Sequence, residues 1–167
     1  MAVVLVGVLC MLNLLLTVGV IRRLRRQAAS APFLSPMAEG LAIGEKMPAF
    51  AATTTDGEPI SDELLDGSAL IGFFSPSCEP CRELMPRFID HARQTSGTVL
   101  AIVVADSDKE AAADVERLAE VARVVVEAPR DAIQSAFKVA AYPALFLIGA
   151  EGRVTDNDPT LLATVSA

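Results

Sequence analysis

Two cysteines separated by two residues, Cys78 and Cys81, are the side chains in this sequence best suited to do chemistry. They lie in the stretch FFSPSCEPCRELMPRF, between an apolar run and a charged, helix-like segment. A C-x-x-C pair is compatible with a redox dithiol, with half of a metal site, or with a structural role alone. The rest of the chain has to distinguish these three interpretations.

The supply of other metal ligands argues against a metal site. The chain has three cysteines and one histidine. Cys10 lies in an apolar N-terminal run, and His91 falls about three turns along the helix predicted after the pair. A four-cysteine zinc site is therefore impossible within one chain, and His91 is too distant to share a metal with the pair. We expect no metal and no cofactor, and we interpret His91 as a surface histidine.

The segments on either side of the pair predict a strand followed by a helix. Residues Ser68 to Phe74 form a continuous apolar run, typical of a strand buried on both faces. A helix is predicted from Arg82 to about Gln94 because apolar residues recur there at helical spacing. Its apolar side consists of Leu84, Met85, Phe88 and Ile89. The pair thus lies where a strand ends and a helix begins.

This position favours a reactive thiol at Cys78. The first N–H groups of a helix are unpaired and carry partial positive charge, which stabilises a nearby thiolate. Cys81 follows one helical turn later, faces the same way and can close a disulfide with Cys78. In the mechanism that this implies, Cys78 attacks a substrate disulfide. Cys81 then displaces the product thiol and leaves the pair oxidised.

The remainder of the domain alternates strands and helices. The predicted elements are a hairpin at Asp56-Gly57, strands in GTVLAIVVAD and RVVVEAP, helices in SDKEAAADVERLAEVA and RDAIQSAFKV, and two strands joined at Glu151-Gly152. The longer helix starts with a capping box of Ser107 and Glu110. Its predicted apolar face comprises Ala111, Val115, Leu118 and Ala122. This alternation implies right-handed crossovers and a sheet covered on both faces.

The N-terminal segment predicts a membrane anchor. Residues 2–21 contain no charged side chain and match the roughly 20 residues that a helix needs to cross a bilayer. A cleaved signal peptide fits less well, because no basic region precedes the run and arginines follow it at once. We therefore expect an anchor with a basic flank at 1–26, a linker rich in small residues and proline at 27–42, and a globular domain at 43–167.

The charge distribution excludes nucleic acid as a partner of the domain. Four arginines follow the apolar run: Arg22, Arg23, Arg25 and Arg26. The other residues include 10 basic and 21 acidic side chains, a formal charge of −11. An acidic domain of this kind repels the phosphate backbone. The arginine cluster places the adjacent end of the anchor, and with it the domain, in the cytoplasm by the positive-inside rule.

Three features together resemble the thioredoxin superfamily over residues 43–156. They are Cys78-Glu79-Pro80-Cys81 after a buried strand, Pro86 eight residues after the first cysteine, and AYPALFLI with Tyr142 before Pro143. With an N-terminal anchor, the chain looks most like membrane-anchored TlpA-like and MauD-like proteins. MauD-like proteins support disulfide chemistry during methylamine dehydrogenase maturation. The resemblance implies a three-layer α/β sandwich with a mixed central sheet, preceded by one transmembrane helix.

The resemblance also assigns roles to particular residues. Cys78 is expected to be the nucleophile, Cys81 the resolving thiol, and Pro143 a cis-proline that faces the dithiol and holds a substrate peptide. Tyr142 and Phe74 are expected to line the substrate site. The expected partners are client proteins with cysteines or disulfides, and a membrane or soluble thiol that donates or accepts electrons. The family resemblance places the domain outside the cytoplasm, against the positive-inside rule.

The sequence departs from the family in three places. The buried carboxylate that thioredoxin keeps on the strand before the dithiol is replaced by Gly72, so the proton acceptor for Cys81 is a water or another carboxylate. Ser77 stands where a tryptophan usually precedes the first cysteine. The stretch after Gly152 is shorter than the family's final strand and helix, which predicts an abbreviated end or an incomplete sequence.

Two alternative functions remain at this point. A peroxiredoxin-like thiol peroxidase shares the fold but usually has a threonine three residues before the reactive cysteine, where this chain has Ser75. A copper-handling assembly factor usually adds a histidine near the C-terminal part of the sheet, where this chain has none. The leading prediction is an anchored thiol-disulfide oxidoreductase.

Overall fold

The computed structural model describes Gly7, residues 40–65 and 67–158, and Leu162. The chain forms two compact units, Met1–Ser35 and Pro36–Ala167. The predicted anchor, apart from Gly7, and nearly all of the predicted linker lie outside the described residues. No helix within the described part of the chain is long and apolar enough to cross a membrane.

The described part of the second unit contains seven strands and three α-helices. The strands are β1 (Ala51–Thr53), β2 (Pro59–Ser61), β3 (Ala69–Phe74), β4 (Thr98–Val104), β5 (Arg123–Glu127), β6 (Ala144–Ile148) and β7 (Val154–Asp156). The helices are α1 (Glu79–Ala92), α2 (Asp108–Leu118) and α3 (Ala132–Ala136), with a 3₁₀ turn at Asp62–Leu64. Each strand and helix predicted from periodicity is present, which confirms the alternation read from the sequence.

Five strands form one mixed sheet in the order β5-β4-β3-β6-β7. Strand β3 is parallel to β4, and β4 is parallel to β5, with α1 and α2 as the crossovers. Strand β6 is antiparallel to both β3 and β7. The mixed sheet confirms the α/β part of the predicted fold class, whereas the predicted transmembrane helix lies outside the described residues. Because β3 and β6 are neighbours, the residues before β6 lie at the same end of the sheet as the residues after β3.

The sheet is covered on both faces, and successive residues of β3 show how. Strand β3 is buried at all six positions because it has a neighbour on each edge and a layer on each face. Leu70 and Phe74 pack with the apolar sides of α1 and α2. Ile71 and Phe73 pack instead with α3 and the β1–β2 hairpin. The two core clusters make the molecule a three-layer sandwich.

The predicted hairpin forms at the start of the described domain. Strands β1 and β2 are antiparallel and pair Ala52 with Ile60. The turn between them contains Asp56-Gly57, and Gly57 has a φ of +81°. A residue with a side chain is strained in that region of backbone space, which is why glycine suits the turn.

Helix α1 begins three residues earlier than predicted, at Glu79 in place of Arg82. Cys78 is its N-cap residue and Pro80 lies in its first turn, where proline costs no hydrogen bond. The sequence pattern starts later because the first turn contains no apolar residue except Cys81. The earlier start matters for the site, since it places both cysteines at the N-terminal end of the helix.

Helix α2 has the predicted Ser107 cap, but the Glu110 carboxylate bonds one residue earlier than a capping box would place it. The Ser107 hydroxyl accepts the Glu110 N–H at 3.4 Å, as expected for an N-cap. The Glu110 carboxylate accepts the N–H of Asp106 at 3.2 Å, and not that of Ser107. Two N–H groups at this helix end are therefore satisfied by side chains.

The predicted apolar face of α2 includes one acid. Ala111 and Leu118 are fully buried, whereas Val115 and Ala122 are only half-buried. Asp114 lies on the same side and is 8% exposed. One of its carboxylate oxygens is buried without a hydrogen-bond partner. Val115 and Ala122 nevertheless pack against the same core cluster, although Ala122 follows the last residue of the helix. The predicted apolar face is thus confirmed, and what the prediction misses is the buried acid within it.

Candidate active site

Cys78 and Cys81 are joined by a disulfide at the N-terminus of α1, with their Cα atoms 5.3 Å apart. Cys78 has extended backbone angles, φ −94° and ψ 113°, and so stands just outside the helix as its cap. The N–H of Cys81 points at the Cys78 sulfur, with an N···Sγ distance of 3.2 Å. This N–H donor and the positive end of the helix would stabilise a thiolate at Cys78.

The two sulfurs differ in their access to solvent. Cys81 is 0% exposed and belongs to the apolar cluster beneath α1. Cys78 is half-buried, and its neighbours Ser77 and Glu79 are exposed. A large substrate can therefore reach Cys78 but not Cys81. This difference agrees with the predicted roles of nucleophile and resolving thiol, which stay predictions.

The two charged residues next to the cysteine pair, Glu79 and Arg82, form a salt bridge with each other. Arg82 donates to the Glu79 carboxylate at 2.6 Å, and both side chains are mostly exposed. An exposed ion pair of this kind contributes little to stability. For the site, the consequence is that the negative charge of Glu79 and the positive charge of Arg82 largely cancel. The partial positive charge of the helix N-terminus then dominates the electrostatic field at Cys78.

Tyr142 and Pro143 lie beside the disulfide, although they are more than sixty residues away in sequence. The Tyr142–Pro143 peptide bond is cis. The Tyr142 carbonyl oxygen lies 3.3 Å from the Cys78 sulfur. The register of the sheet causes this approach, because Phe73 at the end of β3 pairs with Ala144 at the start of β6. Both residues are half-buried, and their predicted substrate contacts stay predictions.

Phe74 lies in the core and does not line the substrate site, contrary to the prediction. Its side chain is 0% exposed and packs edge to face against Phe88, with ring centroids 5.0 Å apart. Alternation along β3 directs this ring into the layer under α1. Phe74 therefore supports the helix that carries the disulfide, and a substrate cannot touch it in this conformation.

Gly72 stands where a side chain would not fit. A Cβ atom there would lie 2.7 Å from the Phe74 ring and 2.8 Å from the Phe88 ring. The two aromatic rings thus occupy the space that the family's carboxylate would need. The buried carboxylates among the described residues are Asp114 and Glu127. Neither belongs to β3.

A hydrogen-bonded network behind Tyr142 was not predicted from the sequence. Glu127, buried at the end of β5, accepts the N–H groups of Ile133 at 2.8 Å and Gln134 at 3.2 Å. Gln134 accepts a hydrogen bond from the Tyr142 hydroxyl through its side-chain oxygen. Burial, followed by the charge of Glu127, raises the pKa of Tyr142, which keeps this hydroxyl protonated. The one sequence signal was an acid directly after three consecutive valines.

The remaining candidate residues take no part in the disulfide site. The Ser75 hydroxyl is hydrogen-bonded to the Ser77 hydroxyl at 3.1 Å. His91 lies in the last turn of α1, and it is half-buried, with its Nδ1 buried and without a hydrogen-bond partner. It is therefore less exposed than the predicted surface histidine. No three metal-binding side chains lie close enough to hold an ion in the part of the chain that the structure describes.

Comparison with known proteins assigns the family. Residues 43–157 match the AhpC/TSA family. No match was found among curated proteins.

Solved structures share the fold. The thioredoxin domain of a thiol-disulfide oxidoreductase from Bacteroides vulgatus is 17% identical, with a TM-score of 0.60 over 71% of this chain and 89% of that one. A thiol:disulfide interchange protein from Bacteroides sp. is 19% identical, with a TM-score of 0.61 over 75% and 88%. A secreted disulfide oxidoreductase of Mycobacterium tuberculosis, homologous to E. coli DsbE, is 24% identical, with a TM-score of 0.58 over 66% and 84%.

These structures share the layers and sheet described above, and the family match covers both cysteines and the cis-proline. The chain therefore belongs to the AhpC/TSA family, and it is an oxidoreductase with the thioredoxin fold.

Proposed function

We propose that this chain exchanges disulfides with client proteins through Cys78 and Cys81. The observation that carries the proposal is the asymmetry of the pair at a helix N-terminus. Cys81 is fully buried, whereas Cys78 is half-buried next to the Tyr142–Pro143 cis peptide bond. Thiol-disulfide exchange needs one accessible sulfur for the mixed disulfide and one protected sulfur to resolve it.

The exchange starts from the reduced protein. The Cys78 thiolate attacks one sulfur of a client disulfide, forms a bond to it and releases the other client sulfur as a thiolate. The Cys81 thiolate then attacks the Cys78 sulfur and releases the second client thiolate. Two electrons pass from the dithiol to the client, and the product is the Cys78–Cys81 disulfide seen in the structure. In the opposite direction, a client dithiol attacks Cys78 of this disulfide.

The clients require an exposed cysteine or disulfide in a flexible segment, because the accessible sulfur is only half-exposed. The dithiol is regenerated by a membrane or soluble thiol partner, since the site holds only the two sulfurs of Cys78 and Cys81 and each turnover uses both. The predicted anchor before a C-x-x-C domain supports assigning the chain to the TlpA-like or MauD-like group. The matches to solved structures support the fold on which this assignment rests.

Trapping the mixed disulfide tests the proposed function. In Cys81→Ser the resolving sulfur is absent, so we expect a stable adduct between Cys78 and a disulfide-bonded protein. Non-reducing electrophoresis and mass spectrometry would show an adduct that dithiothreitol releases. Cys10→Ser serves as the matched control and should form no stable adduct. Equal adduct formation by the Cys78→Ser/Cys81→Ser double variant would count against the proposal.

We also propose that residues 1–26 hold the domain at a membrane. The support is the uncharged run of membrane-spanning length followed by four arginines. Deleting these residues should move the protein from the membrane fraction to the soluble fraction without loss of thiol-disulfide exchange. A full chain that stays soluble would contradict the anchor. Labelling Glu116→Cys in intact cells with an impermeant maleimide would decide the side of the membrane.

The alternative functions have less support from the site. The Ser75 hydroxyl bonds to Ser77, and the partner sulfur for Cys78 lies within the same helical turn, as exchange chemistry requires. A measurable turnover of hydrogen peroxide would favour the peroxidase. Stoichiometric binding of Cu(I) by the reduced protein would favour a copper-handling factor.

A further inference from the structure

We propose that Gln134 and Glu127 are positioning residues that hold Tyr142 beside Cys78. The inference rests on the proposed exchange at Cys78 and extends the site by two buried polar residues outside the C-x-x-C motif. Both lie on the β5–α3 side of the molecule and act through Tyr142, without touching the reacting sulfurs. Three steps connect them to the disulfide.

The first step is the Gln134 side chain, which is 1% exposed and forms hydrogen bonds through both the oxygen and the nitrogen of its amide. Its oxygen accepts the Arg130 N–H at 3.2 Å and the Tyr142 hydroxyl. Its nitrogen donates to the Ala128 carbonyl at 2.7 Å and lies 3.5 Å from the Glu127 carboxylate. A buried amide with four partners has one orientation available, because any rotation leaves polar atoms unpaired.

The second step is Glu127, which sets that orientation. Its two oxygens accept the N–H groups of Ile133 and Gln134, so the carboxylate is fixed against the start of α3. A carboxylate offers only acceptors to a neighbour. The NH₂ end of the Gln134 amide must therefore face Glu127, and the oxygen must face away from it. The oxygen is then presented to the Tyr142 hydroxyl.

The third step is Tyr142 itself, which is fixed at both ends. Its hydroxyl bonds to Gln134, and its ring packs against residues of both core clusters. Its carbonyl oxygen lies 3.3 Å from the Cys78 sulfur, and its bond to Pro143 is cis. A carbonyl held at this distance accepts a hydrogen bond from a thiol and repels a thiolate. The network thus determines both the reactivity of Cys78 and the shape of the surface beside it.

Two variants of the full chain test this inference. Tyr142→Phe removes only the hydroxyl, and Gln134→Leu removes its acceptor. In each we expect Cys78 of the reduced protein to react with iodoacetamide about threefold faster, because a loosened carbonyl repels the thiolate less. We also expect KM for a protein disulfide to rise about threefold while kcat changes less, because the client-facing surface is less ordered.

Ser135→Ala is the matched control. It removes a hydrogen bond to the Arg130 carbonyl from the exposed side of the same helix and should leave both quantities unchanged. In these two quantities the double variant Tyr142→Phe/Gln134→Leu should behave like Tyr142→Phe, since both single variants break the same Tyr142–Gln134 hydrogen bond. Additive effects, or an unchanged alkylation rate in Tyr142→Phe, would overturn the inference. Tyr142→Phe decides the matter alone if Gln134→Leu does not fold.

Failure of this inference can be told apart from failure of the proposed function. If the unaltered chain turns over a protein disulfide and the variants match it, the dithiol acts without the network. If the unaltered chain shows no turnover, the exchange chemistry itself is wrong.

Discussion

At the scale of single residues, the reactive pair was predictable and its surroundings were only partly so. The positions of Cys78 and Cys81 followed from a strand-then-helix pattern, which is local in sequence. Gly72 could be identified as a departure from the family, but not explained. The explanation needed the Phe74 and Phe88 rings, which meet above it only in the folded chain. Phe74 was misplaced for the same reason, since its burial depends on the layer that α1 supplies.

The hydrogen-bonded network behind Tyr142 was not predicted from the sequence. Nothing in the local pattern connects Glu127, Gln134 and Tyr142, because their hydrogen bonds depend on how α3 packs beside β6. Polar residues in a short amphipathic helix are usually taken as exposed. Gln134 is the exception here, and burial of its amide is what points to a role.

Asp114 gives a pH-dependent prediction at the same scale. Burial raises the pKa of its carboxyl, and the charges of Arg117 and Arg82 act in the opposite direction. The folded state therefore holds the proton more tightly than the unfolded state, and the ionised acid weakens folding once the pH exceeds its ordinary pKa. Asp114→Asn should raise the free energy of unfolding at pH 7 by about 1 kcal/mol.

This gain should disappear at pH 3, because the acid is then protonated in both states and resembles the amide. Urea unfolding at the two pH values measures the difference. Glu116→Gln is the control, since Glu116 lies on the exposed side of the same helix and should show no such dependence. An equal gain at both pH values would mean that charge is not the cause.

At the scale of elements, the strands were the most predictable parts of the fold. Strands β3 and β4 are nearly continuous apolar runs because they are buried on both faces, and β5 contains three consecutive valines. Such runs are visible without knowledge of the fold. Helix starts were less predictable. Helix α1 begins at a cysteine cap and a proline turn, neither of which belongs to the apolar pattern. The early start is also what brings the helix end to the sulfurs.

The cap of α2 shows the same limit. Ser107 was correctly predicted as the N-cap, because its side chain bonds to a residue three positions away. The partner of the Glu110 carboxylate was off by one residue, since the choice between the Asp106 and Ser107 N–H groups depends on the backbone path leaving β4. Local spacing thus predicts that a cap exists, whereas the exact bonds depend on the adjoining strand.

At the scale of the whole molecule, the alternation of elements predicted a sheet covered on both faces, and the family resemblance implied that this sheet is mixed. The order β5-β4-β3-β6-β7 explains why one site forms from two distant segments. Cys78 follows the end of β3, whereas Tyr142 and Pro143 precede the start of β6. Because these two strands are antiparallel neighbours, all three residues lie at the same end of the sheet. The family match over residues 43–157 includes every one of these residues.

The central claim is that Cys78 is the sulfur that exchanges with clients, and one measurement tests it most directly. It is the turnover of a disulfide-bonded protein such as insulin by Cys78→Ser, with dithiothreitol as the electron source. Because Cys81 is buried and cannot form the mixed disulfide, we expect a loss of at least about 100-fold, while Cys10→Ser keeps the unaltered rate. A Cys78→Ser variant with the full rate would contradict the account.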